Sequence, residues 1–175
     1  MRNRLAAAML LWLGCLSAIG CGYHVAGRNS AFPSTWTTIA VPAFANNTSY
    51  YRIEQIFTEA TIHELLARTK YRIVQDPGAA DGVLHGEITK LETAPLLFNQ
   101  QTEQVTTVLV TVHAKISLVD RQTQKTLYKN DDVVLRDEYQ ISSDVKAFFQ
   151  EENPAVRRMA TNFASRAVAD LLENF

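Results

Sequence analysis

Cysteine is almost absent from this chain, which has two in 175 residues, Cys15 and Cys21, both near the N-terminus. The rest of the sequence therefore supports neither a disulfide nor a thiolate metal site. Glycine, with seven residues, and proline, with five, are too scarce for a low-complexity chain, and no internal repeat is visible. The chain must hold itself together by packing a core, alone or with a partner.

Charge of one sign is not in excess either. The sequence has 17 basic and 18 acidic residues, and without Arg2 and Arg4 the balance becomes 15 against 18. Nucleic-acid-binding domains usually carry a basic stripe. We therefore expect no nucleic-acid partner.

Common enzyme motifs are missing as well. His63-Glu64 has no second histidine four residues on, and the sequence contains no Gly-x-Ser-x-Gly elbow, P-loop or dinucleotide fingerprint. If His85 and His113 face each other across neighbouring strands, they are a weak hint of a metal site, although such histidines are usually solvated. We expect a protein that is not an enzyme and that has no cofactor and no catalytic or metal-ligating residues.

The N-terminus is typical of a secretory signal. Arg2 and Arg4 precede an apolar run, 5–16, which is too short to span a bilayer comfortably. The segment Ala18-Ile19-Gly20-Cys21 resembles a bacterial lipobox, in which a peptidase cuts before the cysteine that then carries the lipid. This predicts a signal peptide over 1–20 and a lipidated tether over 21–35. Alternatives are processing at Cys15, which bulky Trp12 disfavours, and an uncleaved N-terminal anchor.

The remaining chain, 36–175, is long enough for one domain with its own core. Strands are predicted at 37–41, 83–98, 106–119 and 125–139, and helices at 50–69 and from Pro154 onwards. This order, β-α-β-β-β-α, predicts an α+β two-layer sandwich. Its sheet would have four mostly antiparallel strands, with both helices on one face.

The clearest strand pattern is the period-two alternation of 106–119, which is typical of a half-buried antiparallel strand. Its apolar face consists of Val108, Val110, Val112, Ala114, Ile116 and Leu118. Pro95 predicts an edge or a bulge near the end of the preceding strand. Asn130-Asp131-Asp132 predicts a bulge in the following one.

Both helices have apolar stripes. In the last helix, Asn153 is a suitable N-cap and Pro154 suits the first helical position. Its stripe consists of Val156, Ala160, Phe163, Ala167 and Leu171. The first helix is less regular, because Ile53, Ile56, Phe57 and Ala60 share one face while Ile62, Leu65 and Leu66 fall largely on the other. Its end is therefore either buried all round or meets something beyond its own sheet.

Binding candidates lie on the turns and on the polar sheet face. The basic residues there are Lys90, Lys115, Arg121, Lys125, Lys129 and Arg136. They form either a solvated surface or a contact for an anionic ligand. Phe98, which follows Leu96-Leu97 at a strand end, and Phe148-Phe149 either bind something or fold back onto the core.

A series of short motifs runs along the mature chain. They are Cys21-Gly22-Tyr23-His24, Ile39-Ala40-Val41-Pro42, Tyr51-Arg52-Ile53-Glu54, Leu84-His85-Gly86-Glu87-Ile88, Val110-Thr111-Val112 and Val119-Asp120-Arg121. In this combination and order the sequence resembles the family of lipopolysaccharide-assembly lipoproteins, LptE. The resemblance implies an outer-membrane lipoprotein that plugs the lumen of a large β-barrel, LptD, helps that barrel to fold, and binds lipopolysaccharide.

The resemblance also implies ligand contacts. In some relatives an arginine follows the strand-end phenylalanine, whereas Asn99 follows Phe98 here. A family lysine lies between the last strand and the last helix, where Lys146 is the nearest match. We therefore expect lipopolysaccharide to meet Phe98, helped by Lys146 and by a cation such as Lys90. The alternative functions are a lipoprotein that activates a cell-wall synthase, one that forms a secretion pore, and an envelope hydrolase, for which no nucleophile is visible.

Overall fold

The computed structural model describes residues 32–98, 100, 105–140 and 154–173, which form a mixed sheet and two helices. In chain order the elements are β1 (Thr38–Ala40), β2 (Ala45–Asn46), α1 (Ile53–Arg68), β3 (Arg72–Val74), β4 (Gly82–Phe98), β5 (Val105–Asp120), β6 (Thr126–Gln140) and α2 (Pro154–Glu173). The predicted signal peptide and tether with Cys21, and also Lys146, Phe148-Phe149 and Asn153, lie outside the described residues. Among the described helices, none is both long and apolar enough to cross a membrane.

The predicted α+β class is confirmed, but the four-stranded, mostly antiparallel sheet is wrong. The sheet has six strands in the order β3-β1-β4-β5-β6, and β2 also pairs with β4. The β4–β5 and β5–β6 pairs are antiparallel, whereas β1 pairs in parallel with β3 and β4, and β2 with β4. The two missed strands have two and three residues, which is too short to show an alternating pattern.

The three long strands have nearly the predicted bounds, and both predicted bulges are confirmed. The β4–β5 register shifts between Pro95 and Leu97. On β6, Val133 and Asn130 pair with Ala114 and Ile116, so β6 has one extra residue at Asp131-Asp132. Extra residues of this kind bend a strand and increase its twist.

The helices cover one face of the sheet. All five residues of the predicted α2 stripe are buried. On α1 the buried apolar residues are Ile53, Phe57 and Leu65, which are spaced by multiples of four and share one face. The prediction that Leu65 lies on the opposite side is therefore wrong. Leu66 does lie outward, with 57% of its surface exposed, so the helix end is not buried all round.

Asp81 fixes the start of β1. Its Oδ2 accepts hydrogen bonds from the backbone N–H groups of Thr37 (2.8 Å) and Thr38 (3.0 Å), and from both threonine hydroxyls. The N–H bonds from Thr37 and Thr38 are the main cause of a lowered pKa of Asp81, which falls from 3.8 to about 2. The carboxylate therefore stabilises the fold in its charged form.

Replacing Asp81 with asparagine is expected to lower the free energy of unfolding at neutral pH. Since the pKa is lowered on folding, the contribution of the wild-type carboxylate is complete above 3.8 and is lost as the pH falls towards about 2. The difference between Asp81→Asn and wild type should shrink over this interval in denaturant titrations. Glu59→Gln, at an exposed position on α1, is the control. If the difference in free energy of unfolding between Asp81→Asn and wild type were the same at every pH, the stabilising role of the Asp81 carboxylate would be contradicted.

Candidate functional site

The sheet face opposite the helices carries a network of paired charges. Across β4 and β5, Lys115 Nζ lies 3.5 Å from Glu87 Oε2, and Glu87 also accepts a 2.6 Å bond from Asn47. Across β5 and β6, His113 Nδ1 lies 2.9 Å from Asp132 Oδ1. These pairs are partly exposed, so each contributes little to stability. Their effect is to make this face hydrophilic without a large net charge.

His85 and His113 do not form a metal site together. His85 pairs in register with Ser117 and His113 with Lys90, so the two histidines are separated along the sheet. Within the described residues, no group of three or more histidine, cysteine, aspartate or glutamate side chains could hold a metal ion. The hint of a metal site at His85 and His113 is therefore wrong.

A shallow depression of about 440 Å³ lies on the same polar face. Its lining includes His85, Glu87, Lys115, Lys129 and Asp131. Besides the Lys115–Glu87 pair, this lining contains a shorter ion pair, in which Lys129 Nζ lies 2.8 Å from Asp131 Oδ2. Because both lysines already face carboxylates, the depression has the character of a hydrated contact surface rather than of an anion pocket.

The end of β4 exposes a short apolar run, Leu96-Leu97-Phe98. The exposed fractions of the three residues are 42%, 56% and 56%. In a regular strand these neighbours would alternate between faces, but the β4–β5 register shifts between Pro95 and Leu97 and again between Leu97 and Phe98. We call this run the hairpin tip. Apolar residues exposed together at such a site usually contact a ligand or a partner.

The outcome differs among the three residues that the sequence predicts to contact lipopolysaccharide. Phe98 is exposed at the hairpin tip, and Lys146 lies outside the described residues. Lys90 pairs with Glu92 at 2.7 Å, and the hydrogen bond from Lys90 is the main cause of the lowered pKa of Glu92. Since Lys90 precedes Phe98 by eight residues, the two lie roughly 26 Å apart along β4. They therefore cannot hold the same chemical group.

Two further features of the surface lie beside turns. Leu96 and Leu97 are exposed with Phe98, so the apolar surface is larger than a single ring. Tyr51 is 82% exposed, and its ring lies 5.7 Å from the Arg52 guanidinium. Arg52 has a left-handed backbone (φ 61°), which is unusual for a residue other than glycine. The sequence signal for both was an apolar or aromatic residue beside a turn.

A family model matches most of the chain. The model is LptE, described as lipopolysaccharide-assembly, and it matches residues 36–171. This range begins before β1 and ends within the last turn of α2. No curated protein is similar enough to match the chain.

Several solved structures have a similar fold. A Xanthomonas campestris protein has a TM-score of 0.55 at 12% identity, over 82% of this chain and 88% of that one. The rare lipoprotein B from Shewanella oneidensis has a TM-score of 0.50 at 15% identity, over 75% and 92%. An uncharacterized lipoprotein B from Nitrosomonas europaea has a TM-score of 0.50 at 11% identity, over 78% and 83%. At these identities the likeness concerns the fold alone.

Proposed function

Because this chain belongs to the LptE family of lipopolysaccharide-assembly proteins, we propose that it is a non-enzymatic outer-membrane lipoprotein. In this proposal it occupies the lumen of an LptD β-barrel, assists assembly of that barrel, and binds lipopolysaccharide on the way to the outer leaflet. The family match over residues 36–171 carries the proposal, since it spans nearly all of the predicted domain.

The polar sheet face supports a position inside a wet barrel. Its exposed pairs, such as Lys115–Glu87 and His113–Asp132, satisfy one another and tolerate water. Thr111 lies on this face between Glu92 of β4 and Arg136 of β6. A barrel wall lined with polar groups would meet this face through hydrogen bonds and bridging waters.

Affinity purification of the full-length chain from outer membranes tests the barrel contact. A large, heat-modifiable barrel should co-purify and be identified by mass spectrometry. Thr111→Arg should reduce the yield of the barrel, because the longer side chain stands out from the polar face. Thr161→Arg, at an exposed position on α2, is the matched control. Recovery of a cell-wall synthase would instead favour a lipoprotein that activates that enzyme. Recovery of rings formed by the chain itself would favour a secretion pore.

The hairpin tip supports lipopolysaccharide binding. The ligand offers acyl chains and phosphates together, so its site needs apolar surface and a cation. Phe98 supplies apolar surface, and Lys146, the nearest match to the family's lysine, supplies the cation. Lys90, roughly 26 Å away along β4, would contact a different part of the ligand.

Replacing Phe98 with serine and Lys146 with glutamine is expected to weaken lipopolysaccharide binding by more than the roughly 10- to 150-fold loss that the charge-assisted bond alone would cause. The lost charge-assisted bond alone accounts for about 1.5–3 kcal/mol. The control is Tyr51→Ser with Lys125→Gln, which removes an exposed aromatic ring and a lysine elsewhere. Binding by the wild-type chain should also weaken as salt rises. Equal affinities for the two double variants, both checked for folding by circular dichroism, would contradict the tip as the site and leave the barrel contact standing.

A further inference from the structure

The corner between α1 and β3 combines positive charge with exposed apolar surface. Residues 65–75 contain three basic residues and no acidic one. Leu66 is 57% exposed, and the side chains of Arg68, Lys70 and Arg72 are also exposed. We call these four residues the basic corner. Exposed leucine beside arginine and lysine is the composition of surfaces that bind at the boundary between headgroups and acyl chains.

Two of these cations are free to meet an external anion. Within the described part of the chain, neither Lys70 nor Arg72 forms an ion pair. Arg68 is fixed by its neighbours, since its Nη1 lies 3.5 Å from Glu64 and donates a 3.3 Å bond to the Ser165 carbonyl of α2. Arg68 is therefore directed towards α2, whereas Leu66, two residues away on the helix, lies on a different side of α1.

The chain enters the domain at this same corner. The buried ring of Phe32 lies 5.1 Å from the Tyr71 ring and 6.4 Å from that of Trp36. Tyr71 lies between Lys70 and Arg72 in sequence, and the Arg72 N–H donates to the Thr37 carbonyl just before β1. Cys21 precedes Phe32 by 11 residues, so the chain between them can span at most about 40 Å.

The hairpin tip lies at the opposite end of the sheet from the basic corner. β4 begins at Gly82, which pairs with Ile39 of β1 close to the corner, and it ends at Phe98. Sixteen residues of strand separate these ends by roughly 50 Å. The lipid on Cys21 is thus tethered to the end of the sheet that carries the basic corner.

We propose that the basic corner docks the domain on the anionic headgroups of the membrane leaflet that holds the Cys21 lipid. This inference rests on the lipid anchor of the proposed function but needs neither the barrel nor lipopolysaccharide. A lipid anchor combined with a basic patch binds a membrane more firmly than either does alone, because the two free energies add. The tether supplies proximity, Lys70 and Arg72 attract phosphates, and Leu66 enters the interface.

Fluorescence on vesicles tests this docking with the mature lipidated protein. Ala67→Cys, at an exposed position in the corner, is labelled with an environment-sensitive dye, since lipid blocks Cys21. On vesicles of phosphatidylethanolamine and phosphatidylglycerol (3:1) the emission should shift to the blue. It should not shift on phosphatidylcholine vesicles, with or without added inorganic phosphate. A label at Gln100→Cys, beside the hairpin tip, should stay unchanged on both.

Neutralising the free cations supplies the second arm. Lys70→Gln with Arg72→Gln should lower the ratio of docked to undocked protein about 30-fold, since each basic residue near an anionic surface is worth about 1 kcal/mol. Lys129→Gln with Arg136→Gln, the same change on the polar sheet face, should leave the ratio unchanged. Vesicle association without a blue shift at position 67 would overturn docking while leaving the lipid anchor intact. A blue shift seen only when the barrel is present in the vesicles would make the corner a protein contact and would also overturn membrane docking. A complete lack of vesicle association would contradict the lipid anchor and, with it, the docking.

Discussion

Replacing Phe163 with alanine is expected to lower the free energy of unfolding by about 3–5 kcal/mol, the usual cost of removing a fully buried phenyl ring. The Phe163 side chain is completely buried. Its ring lies 5.4 Å from the Phe57 ring of α1 and 6.1 Å from the Phe44 ring, both edge-on or tilted. The substitution therefore opens a cavity where both helices meet the sheet, and the loss is a large part of a typical domain stability of about 5–15 kcal/mol.

Phe98→Ala is the matched control for Phe163→Ala. It removes the same atoms from a side chain that is 56% exposed at the hairpin tip, so the free energy of unfolding should change by only about 0.5 kcal/mol. Urea titrations of both variants measure the two values. Equal destabilisation by the two substitutions would contradict the packing of α2 against α1 and the sheet.

The contrast between Phe163 and Phe98 also shows what the sequence could predict. Phe163 belongs to a long apolar stripe that recurs every three or four residues, and apolar and polar residues alternate along β5. The sequence therefore predicts the buried faces of both elements. The strands β2 and β3 have no such pattern. They form because β1 and β4 offer backbone partners to chain segments that tertiary structure brings alongside.

The candidate site was predictable only in part. Phe98 follows two leucines at the end of a strand, and this was enough to predict a strand-end apolar site. Lys90 and Glu92 are two residues apart in a strand and share a face, so their pairing follows from the strand prediction. The register shift just before them, between Ile88 and Lys90, has no sequence pattern. The basic corner was missed for another reason: its residues are spread over the end of α1, the connection after it and β3, and the approach of Tyr71 to Phe32 depends on the fold.

Replacing Cys21 with alanine is expected to abolish lipid attachment and to leave an unprocessed precursor. In a lipobox the cysteine thiol carries the lipid, and the cut falls just before it, so alanine removes both events. The effect on membrane association is large, because each buried acyl methylene contributes about 0.8 kcal/mol. Labelling with radioactive palmitate, together with the mobility of the chain on gels, measures lipidation and cleavage in one experiment.

Cys15→Ala is the matched control for Cys21→Ala, because it removes the other cysteine of the same apolar segment. It should leave labelling and cleavage intact, since Cys15 would be lost with the signal peptide. The reverse result, with Cys21→Ala still labelled and Cys15→Ala not, would move the anchor to Cys15 and lengthen the tether by six residues. At about 3.6 Å per extended residue, the lipid would then be held up to roughly 20 Å farther from Phe32. The basic corner would be less closely confined to the membrane, so its docking would depend more strongly on Lys70 and Arg72.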